Sequence, residues 1–290
     1  MKVRIGVGYG SLAGFTEAVD HAEAVGVDSL WLSEVVFSQQ VDPFIGMAHA
    51  LARTTNLKVG TGVAVLPGRH PVLVAKQLVS LAALTPKRVL PVFGLQPARR
   101  PERQAFPVTG NRAAVFDETL RAVRTLLEQD EVTFHGDFWT IEGARLAPKP
   151  SKPLDIWLGG SAPAGLTRVG RLADGWLGSF LTPAQAGEAR ETIKRAADEA
   201  GREIEEDHYG MSIAIATDGI PPALAALARE RRPDTDPGDV IPTGWGGTRD
   251  LVQRYVDAGI TKFVIRPTTA PDDFTAFLDE FVTELMPLQN

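Results

Sequence analysis

The amino-acid sequence predicts an α/β fold, a single (β/α)8 barrel over residues 1–290. Three observations lead there. Short apolar runs alternate with amphipathic helical segments eight times along 290 residues, and such alternation implies parallel strands joined by crossover helices. The runs are nearly continuous in apolar residues, as strands buried on both faces require. The length suits one large core closed on itself, the TIM-barrel architecture.

Val3 to Tyr9 is the first run, broken by Gly10 and Ser11. Phe15, Ala18, Val19 and Ala22 recur at helical spacing, with Gly26 as a C-terminal stop. Asp28 to Ser33 is the second strand, and Pro43 opens a helix to about Arg53. Leu57 to Val65 is the third strand. Pro71 opens the next helix, whose face is Val74, Leu78, Leu81 and Ala82. Arg88 to Phe93 is the fourth strand, closed by Gly94. Leu95 to Asn111 is a long loop rich in Pro and Arg, and loops of this length are usually functional or mobile. Asn111 suits the cap of a helix striped by Phe116, Leu120, Val123 and Leu127. Glu131 to Ile141 reads as a small hairpin turning at Gly136-Asp137, inserted between strands four and five.

Ile156 to Leu158 is the fifth strand and stops at Gly159 and Gly160. Ser161 suits the N-cap of the next helix and Pro163 its first turn, with Leu166, Val169 and Ala173 as the stripe. Asp174 to Gly178 is strand six, followed by a polar helix from Pro183 to Ala200. Tyr209 to Thr217 is strand seven. Gly219 to Gly247 offers only a short Ala/Leu helix and a charged Pro/Asp segment. Thr248 to Ala258 is a helix, Lys262 to Arg266 is strand eight, and Phe274, Phe277, Leu278, Phe281, Val282 and Leu285 form the last stripe. No repeat or linker divides the chain, so one domain is expected.

Composition narrows the function. The chain is 44% hydrophobic and 23% charged with a net charge of −6, and its basic residues gather in nothing larger than pairs such as Arg99–Arg100 and Arg231–Arg232. That argues against a nucleic-acid partner. With no cysteine there is no disulfide framework and no thiolate zinc site. No apolar signal segment follows Lys2, and no apolar run approaches the roughly 18 residues of a membrane span. A cytoplasmic protein is the expectation.

In such a barrel the active site lies at the C-terminal ends of the strands. Strand two ends in Ser33 and Glu34, and strand three in Gly60 to Val63, followed by Arg69 and His70. Strand four ends in Gly94 and Gln96, strand five in Gly159, Gly160 and Ser161, strand six in Ser179, and strand eight in Arg266. The five histidines fall on helices and loops with no second ligand nearby in sequence, so no metal site is expected. No Gly-x-Ser-x-Gly elbow marks a nucleophile. A glycine-lined mouth with one carboxylate and one amide suits a large planar phosphorylated cofactor better than hydrolysis. Two glycines ahead of a helix leave backbone N–H groups free for a phosphate, although an ordinary strand-to-helix turn has the same residues.

Several stretches carry a resemblance: Trp31-Leu32-Ser33-Glu34, Gly60-Thr61-Gly62-Val63, Arg69-His70-Pro71, Arg88-Val89-Leu90 leading to Phe93-Gly94, Leu158-Gly159-Gly160, Asp174-Gly175-Trp176, and Lys262-Phe263-Val264 before Arg266-Pro267. In this order they resemble the bacterial-luciferase-like monooxygenase superfamily, and most closely its actinobacterial branch of coenzyme F420-dependent oxidoreductases. FMN-dependent members share the same set. The resemblance implies that Glu34 borders the deazaflavin and that Gly62, Val63 and Gly94 line it, with a non-proline cis peptide at Gly62-Val63. It implies that Gly159, Gly160 and Ser161 hold the cofactor phosphate. Glu34, Gln96 and His70 are then the catalytic candidates, and Arg69 and Arg266 the substrate-binding ones.

Two residues depart from the family pattern. Val35 stands where many F420 enzymes have His, and Gln96 where some have Glu. Val35 transfers no proton and Gln96 only hydrogen-bonds. Alcohol oxidation, which needs a base, fits poorly. Hydride transfer between the deazaflavin C5 and an activated C=C or C=N bond of a small organic substrate fits better, with the substrate under the Gln96 to Thr109 loop. The alternatives are an FMN-dependent monooxygenase using O2 and a flavin- or deazaflavin-binding barrel without turnover. A homodimer follows from the resemblance alone.

Overall fold

The structure is a computed structural model that describes residues 2–150 and 152–290. Eight parallel barrel strands form the core. They are β1 (Arg4–Gly8), β2 (Ser29–Leu32), β3 with β4 (Lys58–Thr61, Ala64–Val65), β5 with β6 (Val89–Leu90, Val92–Gly94), then, after the hairpin, β9 (Trp157–Gly159), β10 (Gly175–Ser179), β11 (Tyr209–Ile215) and β12 (Lys262–Pro267). The hairpin pairs β7 (Val132–His135) antiparallel with β8 (Thr140–Ala144). Around the ring, β12 pairs with β1, β1 with β2, β2 with β3, and onward to β11 with β12.

Two barrel strands are interrupted. β3 stops at the cis Gly62–Val63 peptide before the chain resumes as β4. β5 stops at Pro91, which has no N–H for the ladder, but its carbonyl still accepts from the Trp157 N–H at 3.0 Å. β3 pairs with β5 and β4 with β6, so the ring stays closed across both breaks.

The helices pack outside: α1 (Phe15–Ala24), α2 (Pro43–Arg53), α3 (Pro71–Leu84), α4 (Arg112–Glu128), α5 (Pro163–Leu172), α6 (Pro183–Glu199), α7 (Pro222–Arg231), α8 (Gly244–Asp257) and α9 (Phe274–Leu285). Their predicted stripes are the buried ones. Phe116, Leu120 and Val123 of α4 and Phe281 and Leu285 of α9 are within 2% of full burial. Inside the ring, glycines make room for indoles. A Cβ on Gly60 would fall 2.9 Å from the Trp31 ring, and one on Gly175 would fall 2.3 Å from that of Trp157.

Three local readings change. Ser161 does not cap α5. Ala162 occupies that position and makes no side-chain cap. The hairpin runs to Ala144, and the Glu118 carboxylate of α4 pins its turn by accepting the N–H groups of Asp137, Phe138 and Trp139 at 2.8–2.9 Å. The unassigned segment after β11 leaves as α7 and returns to pair Thr243 with Ala216. It closes a small core of Ala216, Ala228, Val240 and Ile241 over that side of the rim.

Candidate active site

Three sets of side chains meet at the C-terminal rim. The first surrounds the Gly62–Val63 bulge. The Gly62 N–H donates to Leu32 O at 2.7 Å, and the Glu34 N–H donates to Val63 O at 3.1 Å. Gly62 O accepts from Ser33 Oγ at 3.0 Å and from Arg266 Nη2 at 3.2 Å. The Val63 side chain sits between two glycines. A Cβ on Gly94 would lie 2.6 Å from Val63 Cγ2, and one on Gly159 would lie 2.7 Å from Cγ1. Gly94 and Gly159 are therefore required by valine packing.

The second set is the Glu34–Arg69 pair. Glu34 is 6% exposed. It accepts the Val65 N–H at 2.6 Å and pairs with Arg69 Nη2. Arg69 Nε donates to Val65 O at 3.0 Å, and its guanidinium lies over Phe44 and Phe106. Burial pushes the Glu34 carboxyl above its usual range despite Arg69. Arg69 is thus engaged by Glu34 through Nη2, with its side chain 22% exposed.

The third set is a cavity of about 440 Å³ at the ends of β1, β2 and β12. Its walls include Gly8, Tyr9, Trp31, Ser33 and Gln40, and its one charged side chain is Arg266. Arg266 Nη1 donates to Ser33 Oγ at 2.6 Å, whereas its buried Nε has no partner. Burial pushes its pKa down to about 10, so it remains a cation at neutral pH.

At the β9–α5 turn, Gly160 has φ +118°, and a Cβ there would meet nothing within 4 Å. Its carbonyl accepts from Trp176 Nε1 at 2.7 Å. Ser161 offers its carbonyl to Arg232 Nη2 at 3.2 Å. With no side chain capping α5, the first free N–H groups of that helix face outward beside a guanidinium.

The other candidates lie apart. His70 is exposed and caps α3, its Nδ1 accepting the Val72 N–H at 3.3 Å while its ring stands edge-on to Trp139. Gln96 is exposed and bound by Arg103. Neither lines the 440 Å³ cavity. His208 does have neighbouring carboxylates, contrary to the sequence reading, since ligand atoms of Glu205, Asp207 and His208 lie within 4.8 Å of one another. That group sits beside the start of β11, at the opposite end of the barrel. There a second cavity of about 280 Å³ lies between Trp31 and Trp157.

Sequence reasoning missed Arg232, which reaches the β9–α5 turn from α7's end, and Glu102. The latter is 1% exposed in the loop after β6, accepts the Phe37 N–H at 3.3 Å and has one oxygen without a partner. A charged residue in an irregular loop carries no periodic signal, so nothing local announces its burial.

The sequence matches the family model described as luciferase-like monooxygenase over residues 2–233. It is 36% identical over 166 residues to an uncharacterized protein of Mycobacterium tuberculosis, covering 56% of each, so the match spans a little over half the length of that relative. A longer alignment, 25% identical over 318 residues, covers 96% of this chain and 93% of an F420-dependent glucose-6-phosphate dehydrogenase of Kineococcus radiotolerans. Among solved structures, an F420-dependent secondary alcohol dehydrogenase in complex with an F420-acetone adduct superposes over 100% of both chains, with a TM-score of 0.83 and 21% identity. At that identity the likeness is one of fold. Among the described residues no helix is long and apolar enough to cross a membrane.

Proposed function

The chain belongs to the luciferase-like monooxygenase family, and on that premise we propose that it is a coenzyme F420-dependent oxidoreductase acting on a small organic substrate. The observation that carries this reading is the start of α5: an open Gly160, uncapped helix N–H groups and the Arg232 guanidinium in one place. That arrangement fits the anionic tail of a phosphorylated cofactor. Beside it Val63, packed between Gly94 and Gly159, presents a small apolar surface that fits the face of a flat ring system. The Kineococcus radiotolerans relative, which aligns over nearly the whole chain, is F420-dependent by name, and that supports the deazaflavin over FMN.

When bound, the deazaflavin supplies or accepts a hydride at C5. The α5 N–H groups, Gly160, Ser161 and Arg232 would hold its charged tail. Val63, wedged between Gly94 and Gly159, would back the ring, and Glu34, tied down by Val65 and Arg69, would keep the loop beside it in place. With both oxygens engaged, Glu34 is a poor base for an alcohol proton. Gln96 offers hydrogen bonds only, and His70, which caps α3, stands outside the cavity. This inventory favours hydride transfer to an activated double bond, with water supplying the proton.

The test is a titration of purified protein with F420 and with FMN, side by side. F420 binds and FMN does not on this reading. Tight FMN binding without F420 affinity would replace it with an oxygen-using flavin enzyme.

A further inference from the structure

We propose that the cavity beside Arg266 is a carboxylate pocket, and that the substrate is a small unsaturated or aromatic monocarboxylate gripped by the Arg266 guanidinium. The proposal rests on the oxidoreductase reading of the same barrel mouth and names its substrate class.

The charge of Arg266 has no counter-ion. Four part-buried arginines, Arg69, Arg124, Arg168 and Arg202, meet a carboxylate (Glu34, Asp174, Asp117 and Asp174 respectively), whereas Arg88, Arg112 and Arg232 meet only carbonyls or a hydroxyl and none of these three lines the 440 Å³ cavity. Arg266 meets only Ser33 Oγ and Gly62 O. An isolated buried cation is costly, and proteins normally pair it. Here the partner is absent on the protein side while the group faces a cavity with no other charged side chain in its wall.

The free donors point to the shape of that partner. Nε–H has no acceptor, and Nη2, which carries two hydrogens, has one acceptor in Gly62 O. A guanidinium edge with Nε–H open suits the two oxygens of a carboxylate. Gly8 leaves that edge uncrowded, because a Cβ there would fall 3.2 Å from Nε and 3.0 Å from the Arg266 Cβ. A single guanidinium matches one negative charge better than two. Tyr9, Trp31, Pro267 and Pro271 give one part of the wall apolar surface that suits an aromatic or conjugated body, and Ser38, Gln39 and Gln40 make another part polar.

The experiment uses the intact protein and two probes of equal shape, cinnamate and neutral cinnamamide, titrated calorimetrically with and without F420. Cinnamate binds at least tenfold more tightly than cinnamamide to the unaltered protein, and Arg266→Met abolishes the difference while F420 affinity stays within threefold. Should Arg266→Met fail to fold, Arg266→Lys, which keeps the charge without the planar fork, lowers the preference at least threefold. Equal binding of the two probes to the unaltered protein overturns the proposal. So does an Arg266 variant that loses F420 affinity but keeps the cinnamate preference, since the guanidinium then serves the cofactor. If F420 does not bind the unaltered protein, the cofactor reading fails by itself, and the cinnamate preference without F420 still decides the pocket.

Discussion

Two adjacent glycines at the end of β9 do different work. Gly159 is small because Val63 fills the space in front of it, and Gly160 is glycine because its φ of +118° suits no other residue. The consequences separate on substitution. Gly159→Ala forces Val63 or the β9 backbone aside and costs about 2 kcal/mol, the usual scale of overpacking. Gly160→Ala meets no neighbour, and its cost of roughly 1 kcal/mol is purely backbone strain. Urea unfolding of the two variants measures both. Near-UV circular dichroism distinguishes them further, because only Gly159→Ala disturbs the packed rim. The sequence announces both glycines as a phosphate cradle. It cannot announce that Val63, on a distant stretch of chain, claims the first of them.

At the scale of elements, helix starts show what local chemistry does and does not settle. Asp42, Asn111, Thr182 and Asp273 cap α2, α4, α6 and α9 with their side chains. Thr182 forms a full capping box with Gln185. The helix α5 alone among the predicted ligand-facing starts has a good capping residue in sequence, Ser161, that does not cap. The chain leaves Gly160 in a conformation that places Ala162 at the cap instead. Thr182→Ala therefore costs about 1 kcal/mol in thermal or urea unfolding, while Ser161→Ala changes stability by less than about 0.5 kcal/mol. A large loss on Ser161→Ala would show that the helix start is capped after all and not open to an anion.

Over the whole molecule, one carboxylate fastens the end of the barrel opposite the rim. Asp28, just before β2, binds Lys58 Nζ and Lys262 Nζ at 2.8 Å each, with Arg4 Nε at 3.7 Å. These are the first residues of β3, β12 and β1, so four neighbouring strands converge on one acid. Burial alone would raise the Asp28 pKa, but Lys262 and Lys58 outweigh it and hold it below the usual carboxylate range. A depressed folded-state pKa contributes stability that is present above the unfolded value near 4 and lost as pH falls through the folded one. Stability accordingly falls between about pH 5 and pH 2. Asp28→Asn flattens that acid limb and lowers stability at pH 7 by roughly 3 kcal/mol, because it strands the buried Lys262 and leaves the half-buried Lys58 unpaired. Denaturant midpoints at pH 7, 5 and 3 for both proteins check this. An acid limb equally steep in the variant would assign the effect to other carboxylates.

The sequence by itself determined the eight-strand ring, the order of its helices and the end of the barrel that carries the rim. Those follow from hydrophobic period and from glycine and proline punctuation, which act over a few residues. Tertiary structure decided what each rim residue does. Arg69 is held by Glu34, His70 and Gln96 lie outside the cavity, Gly94 and Gly159 serve Val63, and Arg266 is left without a counter-ion. The physical reason is ring closure. It brings side chains from opposite ends of the chain within a few ångströms, and which charges pair and which stay open depends on those contacts, not on neighbours in sequence.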